Sequence, residues 1–315
     1  MKTLYVSPSY RCNELCVFCP CARKSRQYDM LDPDYIINAI DLAIERQPIE
    51  MVVISGGEPT LYPGLIKIIN AIKDRSLQFG ILSNSLRFAD QDFLSGFIDS
   101  VGSDFELTTA FHSHISRTHD EVTSVKGSFS RSLVGVKHLI ASGVRVTVKM
   151  VINNMSYQTL PDYAQWIYDT FPDEVNWVLC NIDLCGTAFD NRDVAAVAFN
   201  TSRPYLEKAL DVVIDNYKAG RKRRVNVYNT PFCCIDPYYW KFLQRYESEI
   251  RIPALLLPPK AGEKPNIRFD LEGDSGTFFK QCEKCAVKQI CPGTWKQTAD
   301  FFGHDMFKPF EGVCA

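Results

Sequence analysis

Short apolar runs punctuate the first two hundred residues: Leu4–Ser7, Met51–Ser55, Phe79–Ser83, Phe105–Phe111, Arg145–Ile152 and Val175–Ile182. Each is nearly continuous in apolar or β-branched residues, the pattern of a parallel strand covered on both faces. Between them apolar residues recur every three or four positions over Tyr35–Arg46, Leu61–Arg75, Gln91–Ile98, Ser130–Ala141 and Leu160–Thr170, which predicts helices. Strands alternating with helices imply right-handed βαβ units and a parallel sheet or barrel. In such folds ligands gather at the carboxyl ends of the strands. The unusual residues of this chain follow its strands: Cys12–Cys19, Gly56-Gly57-Glu58, Ser83-Asn84-Ser85, His112-Ser113-His114 and Asn153-Asn154.

After about residue 200 the rhythm changes. A helix over Pro204–Tyr217 runs into Lys218 and the basic run Arg221–Arg224, read as a solvated helix end whose charges suit the helix dipole. A strand follows at Val225–Tyr228, and the proline-rich stretch from Ile252 to Pro265 predicts an irregular connection. The last fifty or so residues carry little helical periodicity and four cysteines, which predicts a small domain held by metal rather than by its own core. The expected organisation is a barrel over 1–200, a connecting helix and strand over 201–232, and a small domain over 233–315.

Composition narrows the function. The 35 Lys+Arg against 37 Asp+Glu give a net charge of −2 over 315 residues, no electrostatic footprint for nucleic acid or a membrane surface. No apolar run is long enough to span a bilayer, and the N-terminus does not read as a signal peptide, so a cytoplasmic location is expected. Twelve cysteines change the picture. Cys12, Cys16, Cys19 and Cys21 open the chain, and Cys282, Cys285, Cys291 and Cys314 close it. Closely spaced cysteines in a reducing compartment point to metal.

The first group has the spacing C-x3-C-x2-C, which suits three irons of a four-iron cluster and leaves the fourth iron open. Zinc fits poorly without a nearby His, although Cys21 could complete a tetrahedral set. Three features then coincide: Phe18 at the aromatic position before Cys19, Gly56-Gly57-Glu58-Pro59 after the second strand, and Ser83-Asn84 after the third. In order and placement they resemble the motifs of the radical S-adenosylmethionine (radical SAM) enzymes. That resemblance implies a partial (β/α)6 TIM-type barrel in an α/β fold, with a [4Fe–4S] cluster on Cys12, Cys16 and Cys19. It also implies that the open iron binds S-adenosylmethionine, whose reductive cleavage gives a 5′-deoxyadenosyl radical able to abstract hydrogen from a substrate C–H. Gly56 and Gly57 would let backbone approach the methionine moiety, Glu58 would accept from its ammonium, and Ser83 and Asn84 would bind carboxylate or ribose. Phe18 would pack near the adenine. Thr108, His112 and Lys149 stand where ribose contacts occur, with a structural role equally open for each.

The second group, Cys282, Cys285, Cys291 and Cys314, has four soft ligands and no open position, which zinc or an iron–sulfur cluster could both satisfy. The run is similar to the auxiliary-cluster half of SPASM domains, which implies a second [4Fe–4S] cluster in a small C-terminal SPASM/Twitch-like domain. It departs from the full pattern in having Trp295 where a further Cys is usual. Cys233 or Cys234 could replace one ligand, though the four C-terminal cysteines suffice. Such a cluster would carry electrons or hold the fold. A thiol could end the reaction by donating hydrogen, and of Cys180, Cys185, Cys233 and Cys234 the candidates taken forward as catalytic are Cys185 and Cys234. The alternative for each is a small buried hydrophobe. The aromatic tail from Phe301 to Phe310 is expected to shield the second cluster.

The resemblance implies an oxidoreductase or isomerase served by a flavodoxin- or ferredoxin-type electron donor. The favoured substrate is a ribosomally made peptide, modified by cross-linking, oxidation or epimerisation. Because the first strand begins within ten residues, a separate leader-binding protein would accompany that reading. The alternative is a small-molecule radical dehydrogenase or epimerase acting on an aminosugar- or nucleoside-type substrate.

Overall fold

The computed structural model describes residues 2–22, 24–245, 252–264, 267–271 and 276–311. Its strands are β1 (Thr3–Val6), β2 (Met51–Ile54), β3 (Gln78–Leu82), β4 (Glu106–Ala110), β5 (Arg145–Ile152), β6 (Asn176–Asn181), β7 (Val225–Tyr228), β8 (Ile252–Leu256) and β9 (Ile267–Leu271). Its helices are α1 (Pro33–Arg46), α2 (Leu65–Asp74), α3 (Gln91–Val101), α4 (Ser116–Thr123), α5 (Ser128–Ala141), α6 (Leu160–Thr170), α7 (Thr187–Asp190), α8 (Arg192–Ala195), α9 (Phe199–Lys218) and α10 (Lys296–Phe302). The architecture is α/β, a partial TIM-type barrel in which β1 to β7 follow one another in spatial order. Among the described residues no helix is long and apolar enough to cross a membrane.

The chain divides into two compact units. The first comprises 1–110, 123–147 and 249–273, with strand order β4-β3-β2-β1-β8-β9. All four residues of β2 are buried, as a strand covered on both faces requires, and β1 pairs in parallel with it from Thr3↔Met51 to Val6↔Ile54. α1 starts where the Asp32 carboxylate accepts from the amides of Asp34 (2.8 Å) and Tyr35 (3.2 Å), with Pro33 at the first helical position. Its apolar stripe Ile36, Ala39, Ile40 and Ala43 is buried.

The stretch expected to be an irregular connection is instead a strand pair. β8 lies parallel to β1, and β9 returns antiparallel at the edge. Pro253 is tolerated because pairing with β1 begins at Ala254, so its missing amide is not required there. The amide of Ser7 donates to the carbonyl of Leu256 (2.9 Å), which ties β8 to the segment leading into Cys12.

The second unit comprises 111–122, 148–248 and 274–315, with strand order β7-β6-β5. Its core is aromatic: the Tyr163 hydroxyl donates to the Phe111 carbonyl (2.8 Å), and Tyr163 packs against Trp166 and Trp177. α9 starts at Phe199, five residues before Pro204, so the proline falls inside the helix. α4 carries His119, while His112 and His114 lie on the turn that precedes it.

The basic run is solvated only in part: Lys218, Lys222 and Arg224 are exposed at the end of α9, but Arg221 and Arg223 turn inward. Arg223 is 4% exposed and its guanidinium sits at the C-terminal end of α6. It donates to the carbonyls of Ile167 (3.4 Å), Phe171 (2.9 Å) and Val175, while Arg221 donates to the Tyr168 carbonyl (2.8 Å) and pairs with Asp173 (2.8 Å). A helix C-terminus leaves carbonyls without partners, and a five-donor guanidinium can satisfy several at once. Replacing Arg223 by Met should lower unfolding free energy by about 3 kcal/mol in urea titrations. Exposed Lys222→Met should stay within about 0.5 kcal/mol.

Candidate functional site

The first site lies wholly in the first unit, at the carboxyl ends of β1, β2 and β3. Residues 12–22 form successive turns: Cys19 N donates to Cys16 O (3.0 Å) and Ala22 N to Cys19 O (3.2 Å). The Glu14 amide donates to Cys12 Sγ (3.4 Å), and the Cys16 thiol approaches Glu14 Oε2 (3.7 Å). Cys12 and Cys19 line a cavity of about 360 Å³ together with Glu14, Gly56 and Gly57. That volume lies in the range of small-molecule sites. Burial pushes the Cys16 thiol well above its ordinary range, whereas Cys19 is held down to about 6, first by a hydrogen bond from Cys21.

Gly56 and Gly57 lack side chains because there is no room for them. A Cβ on Gly57 would sit 2.1 Å from the Arg11 carbonyl oxygen, and one on Gly56, whose φ is +106°, would sit 2.5 Å from that of Ser9. In return Gly57 N donates to Ser9 O and Glu58 N to Arg11 O, both at 2.8 Å. The glycines thus clamp the loop after β2 onto the strand exit that carries Cys12.

Glu58, 3% exposed, gathers the rest. Its Oε1 accepts from Thr60 N (3.0 Å), Thr60 Oγ1 (2.6 Å) and Ser83 Oγ (2.9 Å), and its Oε2 from Asn84 N (2.8 Å). Desolvation raises its pKa, opposed by these donors. Asn84 Nδ2 passes the link on to Asn13 Oδ1 (2.7 Å), between Cys12 and Glu14. α5 supports the same loop: Ser132 Oγ donates to Asn84 O (2.7 Å), and Gly135 permits a contact in which a Cβ would fall 2.2 Å from Ser85 O. Ser85 has φ +63°, and its hydroxyl donates to Thr109 Oγ1 (3.0 Å). Phe18 is buried, and Thr108 is half-buried on β4, its carbonyl accepting from Ser83 N (3.0 Å).

The second unit holds the remaining candidates. His112 is buried against His119, ring centroids 5.8 Å apart, and its amide donates to His119 Nδ1 (3.1 Å). Lys149 is half-buried on β5. On β6, Cys180 accepts from Asn229 Nδ2 (3.1 Å). Cys185 is half-buried just after β6, beside Leu184, whose amide donates to Thr298 Oγ1 of α10 (3.3 Å). Cys234 is buried in an apolar cluster with Phe199, Ala299 and Phe307.

Cys282, Cys285 and Cys291 line one narrow cavity of about 30 Å³, joined by Cys233 and by Phe307 from the aromatic tail. Phe301 is exposed and takes no part in it. Cys314 lies outside the described residues. Among the described residues no three His, Cys, Asp or Glu side chains are grouped so as to hold a metal ion. Sites of this kind are not preformed, because metal binding is coupled to ordering of the ligand loops.

A model of the Radical SAM superfamily matches residues 6–167, just over half of the chain. The chain belongs to the radical SAM superfamily. Membership brings with it S-adenosylmethionine and a [4Fe–4S] cluster as the family's reagents. The probable GTP 3′,8-cyclase of Sulfurisphaera tokodaii is 25% identical over 180 residues, 56% of this chain and 56% of that protein. The Fe-coproporphyrin III synthase of Methanosarcina barkeri is 22% identical over 239 residues, 74% of this chain and 57% of that protein. The chain therefore spans little more than half the length of these curated relatives. The crystal structure of Streptococcus suis SuiB bound to S-adenosylmethionine matches with a TM-score of 0.66 at 14% identity, over 98% of this chain and 76% of that one. Native anSMEcpe with bound AdoMet gives a TM-score of 0.55 at 12% identity, over 72% of this chain and 64% of that one. At such identities the structural matches show the fold alone.

Within this radical SAM site, sequence reading passed over Asn13 and Glu14. Glu14 is 7% exposed, its Oε1 has no hydrogen-bond partner among the described residues, and desolvation, then the Glu58 charge, push it up to about 7. A carboxylate between two cysteines was the available signal.

Two outcomes follow from this geometry. Glu58→Gln, which turns an acceptor into a donor facing the Asn84 and Thr60 amides, should weaken S-adenosylmethionine binding about tenfold by calorimetry, or about 1.4 kcal/mol, with iron content unchanged. Burial keeps His119 neutral, its pKa lowered from 6.5 to about 4. The unfolded chain then binds the extra proton below pH 6.5, so stability falls as pH drops through 6.5 toward 4. The loss should be about 3 kcal/mol in denaturant titrations and should be smaller in His119→Gln.

Proposed function

We propose that this chain cleaves S-adenosylmethionine reductively and uses the resulting radical to abstract hydrogen from a C–H of a ribosomally made peptide, leading to oxidation, a cross-link or epimerisation. What supports the peptide reading is that the SuiB match extends over 98% of this chain, the C-terminal module included. SuiB has also been crystallised bound to its precursor peptide SuiA.

In this reading Cys12, Cys16 and Cys19 hold the cluster. The donor set fits: soft thiols on turns, beside a cavity roomy enough for a small molecule and lined by an orphaned carboxylate oxygen. Bound there, the cluster supplies the electron that breaks the sulfonium of S-adenosylmethionine. Glu58 keeps the loops after β2 and β3 in register with the cysteine loop, and its Oε2, with one accepted bond, keeps capacity for an ammonium donor. Ser83 and Asn84 present the β3 loop, and buried Phe18 backs the cysteine turns. Thr108, His112 and Lys149 remain candidates for ribose contacts.

The auxiliary site in the second unit has the opposite character. Its cavity is narrow and rich in thiols, which suits a fully ligated iron–sulfur cluster that conducts electrons and leaves no room for substrate. Cys185 is the better candidate for hydrogen donation, being half-buried on a loop, whereas Cys234 packs as a small hydrophobe.

The small-molecule alternative draws on the GTP 3′,8-cyclase relatives. Reconstituted, reduced protein should form 5′-deoxyadenosine from S-adenosylmethionine, and deuterium from a labelled peptide fraction of the host extract should enter it. Transfer only from the low-molecular-weight fraction would overturn the peptide reading in favour of the alternative. With the peptide, Cys185→Ala should still form 5′-deoxyadenosine but should lose any epimerised product. Unchanged product would remove Cys185 from that role.

A further inference from the structure

The turn that carries Cys12 and Cys16 is anchored by its backbone and by Asn13. The Leu15 amide donates to the Thr123 carbonyl (3.0 Å), the Glu14 amide to Cys12 Sγ (3.4 Å), and Asn13 Oδ1 accepts from Asn84 Nδ2 (2.7 Å). The Glu14 side chain lines the cavity of about 360 Å³. It is 7% exposed, yet among the described residues its Oε1 accepts no hydrogen bond, while its Oε2 meets the Cys16 thiol at 3.7 Å. A carboxylate taken out of water without donors is destabilising. This one is placed for a donor that arrives with a ligand.

Arg26 lines the same cavity from the turn Lys24–Arg26, which the Gln27 amide closes onto the Lys24 carbonyl (2.9 Å). The cavity thus carries a buried acceptor and a cationic donor fork, the complement of an amino group and a carboxylate on one molecule. The residues that the motif resemblance gave to those two groups are engaged elsewhere. Ser83 Oγ donates to Glu58 Oε1 (2.9 Å), Asn84 N to Glu58 Oε2 (2.8 Å) and Asn84 Nδ2 to Asn13. Glu58, Ser83 and Asn84 frame the loops around the cavity, whereas Glu14 and Arg26 line it.

We propose that Glu14 and Arg26 form a two-pole subsite for the α-amino acid end of S-adenosylmethionine, Glu14 accepting from its amino group and Arg26 donating to its carboxylate. The inference rests on the reading of this cavity as the S-adenosylmethionine site. Glu14 is the stronger pole, because water screens a buried bond least and screens the exposed Arg26 most.

The test is calorimetry on the intact, anaerobically reconstituted and unreduced protein with three ligands. S-adenosylmethionine and S-adenosylhomocysteine carry the amino acid end, and 5′-methylthioadenosine lacks it. Glu14→Gln should weaken the first two about tenfold and leave 5′-methylthioadenosine unchanged, with iron content and circular dichroism as in the unaltered protein. Arg26→Met, which lies outside the cysteine turns, should weaken the same two about threefold. Equal weakening of all three ligands, or no change in any, overturns the proposal and leaves the reading of the cavity standing. Should Glu14→Gln lose iron, Arg26→Met decides: a loss confined to the two ligands with the amino acid end supports the subsite, and a uniform or absent loss overturns it. Failure of the unaltered protein to bind any of the three overturns the reading of the cavity itself, and the subsite with it.

Discussion

One buried carboxylate holds the candidate site together. Glu58 draws into itself donors from its own turn and from the loop after β3, and the asparagine of that loop reaches on to the cysteine loop. Three segments far apart in sequence thereby share one anchor. A carboxylate is costly to bury unless donors surround it, and the same cost makes the arrangement specific, because a placement that lost these four donors would leave the buried charge uncompensated. The glycines before it serve the same end by a steric route, since any side chain there would collide with the exit from β1.

The two cysteine groups sit in contrasting surroundings. The first opens onto a cavity of about 360 Å³ bounded by the cysteine turns, glycine backbone and a carboxylate oxygen without a partner among the described residues. The second is packed among aromatic rings, with Phe279 stacked on Phe307 at 5.3 Å and Trp240 against Phe310 at 5.0 Å. An open, polar surrounding suits a group that must admit a charged small molecule. A closed, apolar one suits a group that exchanges only electrons, since excluding water tunes potential and protects the sulfurs. The same contrast separates the loose thiols: Cys234 is buried in an apolar cluster, while Cys185 is half-buried on the loop after β6.

The chain's order of strands, its cysteine spacings and its Gly-Gly-Glu-Pro and Ser-Asn runs were sufficient to predict the barrel and to single out residues that the fold gathers at the first candidate site, because each is a local signal: periodicity, a spacing, a short motif after a strand. Other features were illegible because they depend on segments distant in sequence. Arg223 looked like a solvated charge until α6 ended against it, and Ile252–Leu256 looked irregular because its proline lies just where pairing is not needed. Glu14 and Asn13 gained meaning only when the β3 loop came to rest beside them. Spacing fixes what a segment can bind, whereas packing of distant segments decides which of its atoms face the site.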